Sequence, residues 1–158
     1  MRNTHQQEFE KDTPAQEQQG PSDRVPGQSD LTSLINLSQL DCLNQVASYS
    51  LKSLFDPASK SSLESDVDPQ LMLTLPFNQN VKLHSFKILA KDEAKAPKTI
   101  KTFINLPAAP SFDDVSAATE TLTIVPNTLT LLKYVRYQNV YQLTVCFLKT
   151  KDAALCGR

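Results

Sequence analysis

Three carboxylates alternate along one short acidic segment, at Glu64, Asp66 and Asp68. Because successive side chains of an extended segment point to opposite sides, this spacing would bring all three to one side. Three uses remain open: capping of backbone N–H groups in a solvated turn, docking of a basic partner surface, and binding of calcium. The glycine and the distal glutamate of an EF-hand loop are missing, which argues against calcium.

Nucleophilic or metal chemistry would have to start from three cysteines and two histidines. Cys42, Cys146 and Cys156 lie far apart and form no Cys-x-x-Cys pair, while His84 lies in a strand pattern and His5 near the N-terminus. These spacings supply neither a zinc ligand set nor a nucleophile beside a base. We therefore expect reduced thiols, no metal, no cofactor and no catalytic residue, hence a protein that is not an enzyme.

The composition argues against further classes of function. The chain has glycine only at positions 20, 27 and 157, whereas phosphate-cradling loops and dinucleotide fingerprints depend on glycine. Sixteen Lys and Arg against 17 Asp and Glu create no basic field, which argues against a nucleic-acid partner. No run approaches the roughly 18 apolar residues of a membrane span, and no signal-peptide core is present. We expect no membrane association and a cytoplasmic or nuclear location.

Alternation of apolar residues with a period of two predicts several strands. Residues 71–77 and 81–88 predict a β-hairpin whose turn is formed by residues 78–80, including Asn78 and Gln79. The apolar face of the second strand changes sides near Ser85, which predicts a bulge there.

Residues 131–137 and 140–148 predict a second pair of strands, joined by a turn at Gln138 and Asn139. Tyr134, Tyr137 and Tyr141 lie around Arg136 and could stack on a ligand. Packing explains them more economically, because strand parity groups Val135 with Tyr137 and Tyr134 with Arg136. One tyrosine should then lie in the core and another beside the arginine stem at the surface.

The remaining pattern completes the fold. We expect strands at 99–105 and 119–125, a short strand near 43–48, and a short helix from Asp30, as its N-cap, to Leu37. Residues 1–29 contain too few large apolar side chains to offset the cost of ordering and are expected to be disordered. Short strands at regular intervals predict an all-β, jelly-roll-like antiparallel β-sandwich with a short N-terminal helix.

Five blocks along the chain resemble a PITH domain, the C-terminal module of proteasome-interacting thioredoxin-like proteins. They match in order and spacing over roughly residues 30 to 147, and together they are more specific than any single motif. The blocks are CLNQ (42–45), LESDVDPQLM (63–72), PFNQNVKLHS (76–85), KTFINLP (101–107) and KYVRYQNVYQLTV (133–145).

This resemblance implies a non-enzymatic module that associates with the regulatory particle of the 26S proteasome. The residues that it points to for protein binding are the acidic and amide side chains Glu64, Asp66, Asp68, Asn78, Gln79, Gln138 and Asn139. The thioredoxin-type Cys-x-x-Cys pair is missing, so a redox function is not carried over. The alternative function is a small-ligand or carbohydrate-binding jelly roll, disfavoured because the chain contains no Trp.

The resemblance divides the chain into a tail at 1–29, a PITH-like domain at 30–148 and a divergent C-terminal tail at 149–158. Relatives of this type continue after residue 148 with a glycine-containing turn and a further strand. We therefore expect the domain to be C-terminally incomplete, with one strand edge unpaired.

An unpaired edge predicts self-association, because free backbone N–H and C=O groups pair with those of another molecule. We expect sedimentation to show a concentration-dependent dimer or aggregate, and thermal melting to show reduced stability. A monomer at all concentrations that melts cooperatively above about 60 °C, the upper end for mesophile domains, would contradict this prediction.

Overall fold

The computed structural model describes residues 26–47, 50–56, 58–59, 62–68, 70–148 and 155–156. Within these residues the regular structure is strands and four short 3-10 helices, with no α-helix. The strands are β1 Asp41–Leu43, β2 Leu71–Val81, β3 Ser85–Lys87, β4 Leu89–Ala90, β5 Thr99–Ile104, β6 Glu120–Thr123, β7 Leu129–Leu131, β8 Val140–Leu148 and β9 Leu155–Cys156. The 3-10 helices are Thr32–Leu34, Lys52–Phe55, Glu93–Lys95 and Tyr134–Arg136.

The described strands form one large antiparallel sheet and two small ones. The large sheet has the order β1-β2-β8-β5-β6, and the small sheets pair β3 with β7 and β4 with β9. The predicted all-β, jelly-roll-like antiparallel class is confirmed. The strands expected at 99–105, 119–125 and 140–148 are present, and the one expected near 43–48 is found slightly earlier, as β1.

The first part of β2 and the second half of β8 are buried on both faces of the large sheet. Leu73 and Val145, which are partners across the pair, face the main core with Ile100. Met72 and Cys146, the next pair, lie on the opposite parity in a second cluster with Phe103, covered by Leu106, Phe112, Val115 and Ala118. Burial on both sides explains the uninterrupted apolar runs at residues 71–73 and 145–148 of these strands.

The hairpin predicted from residues 71–77 and 81–88 is wrong. β2 lies between β1 and β8, whereas β3 pairs with β7 in a small sheet. Residues 78–80 continue β2 instead of turning, and the chain leaves the large sheet only after Val81. The change of apolar face near Ser85 is not a bulge within one strand: residues 82–84 belong to no strand, so the alternation is interrupted there and starts again in β3 of another sheet.

The prediction of a strand at 131–137 is also wrong, because only its first residue, Leu131, belongs to a strand. β7 ends at Leu131, and Tyr134–Arg136 form a 3-10 helix that leads into a buried Tyr137. Tyr137 does lie in the core, as one tyrosine was expected to, but Val135 does not accompany it and is 86% exposed. Strand parity fails here because a 3-10 helix has three residues per turn instead of two.

Both ends of the chain fall largely outside the described residues. Of the predicted tail at 1–29 only 26–29 are described, and of the tail at 149–158 only 155–156, which form β9 against β4. The sequence did not predict β9. The expected N-terminal helix is limited to one 3-10 turn, Thr32–Leu34, whose Thr32 N–H donates to the Asp30 carboxylate at 2.8 Å.

Three asparagines take the left-handed backbone conformation that glycine usually supplies. Asn44, Asn105 and Asn127 have φ angles of 64°, 54° and 62°. Asparagine tolerates this region better than other side chains, and its amide can bond the backbone nearby. Here each amide bonds backbone distant in sequence: Asn44 to Asp68 and Gln70, Asn105 to Asn139 and Tyr141, and Asn127 to Ala90. Each asparagine therefore fixes one loop to another.

Substituting Asn105 should separate its two contributions. Asn105→Gly keeps the left-handed backbone accessible but removes the amide, and should cost about 1–2 kcal/mol of unfolding free energy. Asn105→Ala also incurs the backbone strain and should cost about 1–2 kcal/mol more. Urea denaturation measures both, with Asn139→Ala, which removes only an exposed side chain, as the control. Equal losses for the glycine and alanine variants would show that the backbone angle is not limiting.

Candidate functional site

The acidic loop, residues 64–68, is built by Asn44 and not by its own carboxylates. The N–H groups of Asp66 and Val67 donate to the main-chain and side-chain oxygens of Asn44, at 3.0 and 3.3 Å. The Asn44 amide in turn donates to the carbonyl of Asp68 at 2.9 Å. Capping by the carboxylates was one of the three uses that the sequence left open, and in the structure Asn44 makes the hydrogen bonds that hold this turn. An asparagine in a chain nearly free of glycine was the signal that could have revealed it.

The three carboxylates do not share one extended strand. Ser65 forms an isolated bridge with Gln45, but residues 66–68 bend away, so the period-two argument holds only for the start of the loop. Glu64 is half-buried, whereas Asp66 and Asp68 are exposed. Among the described residues no group of three His, Cys, Asp or Glu side chains is arranged to hold a metal ion. The calcium alternative therefore lacks a ligand set in this part of the chain.

The four predicted amide residues come together at the other end of the large sheet. Asn78 and Gln79 lie on the exposed end of β2, and Gln138 and Asn139 lead into Val140, which pairs with Val81. We call Asn78, Gln79, Gln138 and Asn139 the amide rim. Its geometry is fixed, because the Gln138 amide donates to the Tyr134 carbonyl at 2.7 Å and the Asn139 carbonyl accepts from Asn105 at 2.8 Å.

The length of β2 separates the acidic loop from the amide rim. The acidic loop ends three residues before Leu71, where β2 begins, and Gln79 lies eight residues after Leu71. The register with β8 shifts between Pro76 and Val81, so the separation is taken along β8, where the seven residues from Phe147 to Val140 span about 23 Å at roughly 3.3 Å per residue. The seven residues implicated by the sequence thus form two separate surfaces and not one site.

An open groove of about 380 Å³ adjoins the amide rim. Its lining includes Gln28, Leu31 and Leu34 from the N-terminal segment, together with Gln79, Lys82 and Tyr134. The lining thus combines amides, one cation, one aromatic ring and aliphatic side chains. Such a surface can bind a polar ligand or a peptide, but it holds no residue pair arranged for acid–base or nucleophilic chemistry.

The two described thiols are buried and lie on opposite faces of the large sheet. Cys42 faces the main core and Cys146 the second cluster, so they do not pair. Burial raises the pKa of the Cys42 thiol to about 12, with a further contribution from Asp41, and that of Cys146 to about 11. A thiol with a raised pKa is a poor nucleophile at neutral pH, because the thiolate is the reactive form. Cys156 lies in β9, where the side chains are outside the described part.

A buried polar cluster went unnoticed in the sequence. The hydroxyl groups of Tyr137 and Thr102 hydrogen-bond to each other, and the buried carboxylate of Glu120 accepts the N–H of Lys133 at 3.2 Å. Burial raises the pKa of Tyr137 to about 12. The cluster joins β5, β6 and the segment before β8, so its evident role is to hold that segment in place. His84 is not part of it; its ring lies 6.2 Å from that of Tyr134.

Taken together, the fold and the placement of these residues define a class: an antiparallel β-sandwich whose described thiols are buried and whose candidate residues lie in two separate places at the surface. A family model narrows this class to one family. The family model described as "PITH domain" matches residues 21–155, and the chain belongs to the PITH domain family. The resemblance seen in the sequence is thereby confirmed.

Curated relatives agree with this assignment. The chain is 40% identical over 131 residues to Thioredoxin-like protein 1 of Schizosaccharomyces pombe, covering 77% of this chain and 45% of the relative. It is 31% identical over 121 residues to PITH domain-containing protein 1 of Homo sapiens, covering 70% of this chain and 57% of the relative. The chain thus spans about half the length of the curated relatives that it matches.

Among solved structures, the family 32 carbohydrate-binding module of C. perfringens NanJ, in complex with galactose, has a TM-score of 0.58 at 7% identity. That match covers 80% of this chain and 92% of the module. Allantoicase from Saccharomyces cerevisiae has a TM-score of 0.52 at 9% identity, covering 74% of this chain and 37% of the enzyme. At such low identity these likenesses show the fold alone. No helix in the described residues is long and apolar enough to cross a membrane.

The raised pKa values predict that alkaline pH destabilises the fold. Below pH 9, near the ordinary pKa of a thiol, the buried groups are protonated in both states and their contribution is intact. As the pH rises from 9 toward 11–12, the unfolded chain loses protons that the folded chain retains, so the unfolding free energy should fall. Urea denaturation between pH 7 and 11 measures this, and Cys146→Ala should reduce the slope. A constant free energy over that range would contradict the prediction.

Proposed function

We propose that this chain is a non-catalytic protein-interaction module that associates with the regulatory particle of the 26S proteasome. The observation that carries the proposal is the membership of the PITH domain family, whose resemblance to the C-terminal module of proteasome-interacting thioredoxin-like proteins implies such docking. Because the chain spans about half the length of its relatives, we assign their partners to it only as a proposal. The proposal places the chain with the proteasome, in the cytoplasm or the nucleus.

The arrangement of the described surfaces supports docking over catalysis. Cys42 and Cys146 are buried, and the three carboxylates form no ligand set. The acidic loop is instead held rigidly by Asn44 with its two exposed carboxylates facing solvent. Exposed charges on a rigid loop chiefly set the register and the association rate of a protein complex.

Acidic loop and amide rim fit within one interface despite their separation. A standard interface buries about 800 Å² per partner, which corresponds to a patch about 30 Å across. The stretch of about 23 Å along the β2–β8 pair is therefore within the reach of a single large partner. A small ligand could contact only one of the two surfaces.

Carbohydrate binding is the second candidate, favoured by one observation. The groove beside the amide rim presents Tyr134 together with the polar ends of Gln79 and Lys82. Aromatic faces and amides of this kind also contact sugars. Titration with galactose distinguishes the two functions: chemical-shift changes confined to the groove would favour a sugar site, and unchanged spectra would favour docking.

Reversing the exposed charges of the acidic loop should weaken binding to purified 26S proteasome. Asp66→Lys with Asp68→Lys should lower the affinity about tenfold, mainly through a slower association, if a basic surface docks here. The melting temperature should change by no more than a few degrees, since Asn44 and not these carboxylates builds the loop.

A matched control is available at Asp113 and Asp114, in the segment whose Phe112 and Val115 pack against the second cluster. Asp113→Lys with Asp114→Lys changes the net charge equally at two exposed positions and should leave the affinity unchanged. Equal weakening by both pairs would attribute the effect to net charge. Full binding by the Asp66 and Asp68 variant with an intact melting transition would remove the acidic loop from the interface.

A further inference from the structure

A protruding turn beside the amide rim exposes apolar side chains. This turn, residues 133–138, is called the knuckle here. Val135 at its tip is 86% exposed and Tyr134 is 42% exposed, while Leu131 just before it is 61% exposed. Isolated apolar residues on a surface are ordinary, but three within five positions concentrate exposed apolar surface in one short segment.

The knuckle is held rigidly from below. The Lys133 N–H donates to the buried Glu120 carboxylate, and the Arg136 guanidinium donates to the Thr119 carbonyl. The next residue, Tyr137, is fully buried and bonded to Thr102. Because its conformation is fixed before any partner arrives, the exposed tip would lose little conformational entropy on binding. A loop that needed only to connect β7 to β8 would not require so many side-chain bonds.

The two charged side chains of the knuckle are both cations. Lys133 and Arg136 flank Val135 and are exposed, and Lys82 lies in the groove wall with Tyr134. The carboxylate in contact with the knuckle, that of Glu120, is buried beneath it. An apolar tip with a basic rim complements an apolar depression edged by carboxylates.

We propose that Tyr134 and Val135 are the apolar anchor of the docking surface, inserted into an acidic-edged apolar depression on the proteasome regulatory particle. The inference rests on the proposed function and names the residues that would dominate its affinity. Interfaces concentrate binding energy in a few well-packed anchors surrounded by a polar rim. The amide rim adjoins this anchor, because the Gln138 amide donates to the Tyr134 carbonyl, and it would form the polar surroundings of the anchor.

The test measures binding of the full chain to purified 26S proteasome after Val135→Asp. Loss of an anchor should weaken the affinity about tenfold or more, and Val135→Ile should retain it. The control is Val125→Asp, which places the same charge at another valine, 62% exposed, and should bind like the unmodified chain. Lys133→Glu should slow association and flatten its dependence on salt. Thermal melting confirms that each variant is folded.

The outcomes separate the two proposals. Full binding by Val135→Asp would overturn the anchor while the docking function stands. Failure of the unmodified chain to bind the proteasome would overturn the docking function, and the anchor with it. If Val135→Asp abolishes a concentration-dependent dimer in sedimentation but leaves proteasome binding intact, the knuckle contacts a second copy, which also overturns the anchor proposal.

Discussion

The antiparallel pairing of β2 with β8 is the constraint on which the rest of the structure depends. It aligns Leu73 with Val145 toward the main core and Met72 with Cys146 toward the second cluster, so one register fills both faces of the sheet. A slip by one residue would exchange the two faces and disrupt both clusters. The same pairing ends at Val81 and Val140, which fixes the amide rim at one end of the sheet and leaves the acidic loop at the other.

Loops around this pair are held by side-chain amides in place of glycine turns. Asn44, Asn105 and Asn127 accept left-handed backbone angles and use their amides to bond a second loop. Glycine would relax the backbone strain but would supply no such bond. Asparagine thus combines two roles at these positions: it allows a tight turn and it ties that turn to a second loop.

The sequence was sufficient for the fold class and for most strand positions, but not for strand partners. Alternation identifies β2, β5 and β8 because it reports which side chains are buried along a strand. It does not report which strand lies alongside, so neighbours in sequence were paired into a hairpin that the sheet order excludes. The prediction of a strand at 131–137 was wrong for a different reason. Val135 and Tyr137 share a strand parity, but Tyr134–Arg136 form a 3-10 helix, in which that parity does not determine which side chains are buried. Glu120 gave no sign of burial, because a glutamate at a strand start reads as exposed.

The candidate surfaces differ in charge along the length of β2. The acidic loop exposes Asp66 and Asp68 at one end, and the knuckle exposes Lys133 and Arg136 at the other. A partner that contacts both ends must present basic groups to the first and carboxylates to the second. Rotating the module by half a turn would place like charges opposite each other at both ends, and such juxtaposition costs several kcal/mol. A module with little net charge can therefore still dock in a single orientation, because the separation of opposite charges, rather than their sum, determines which orientation is favoured.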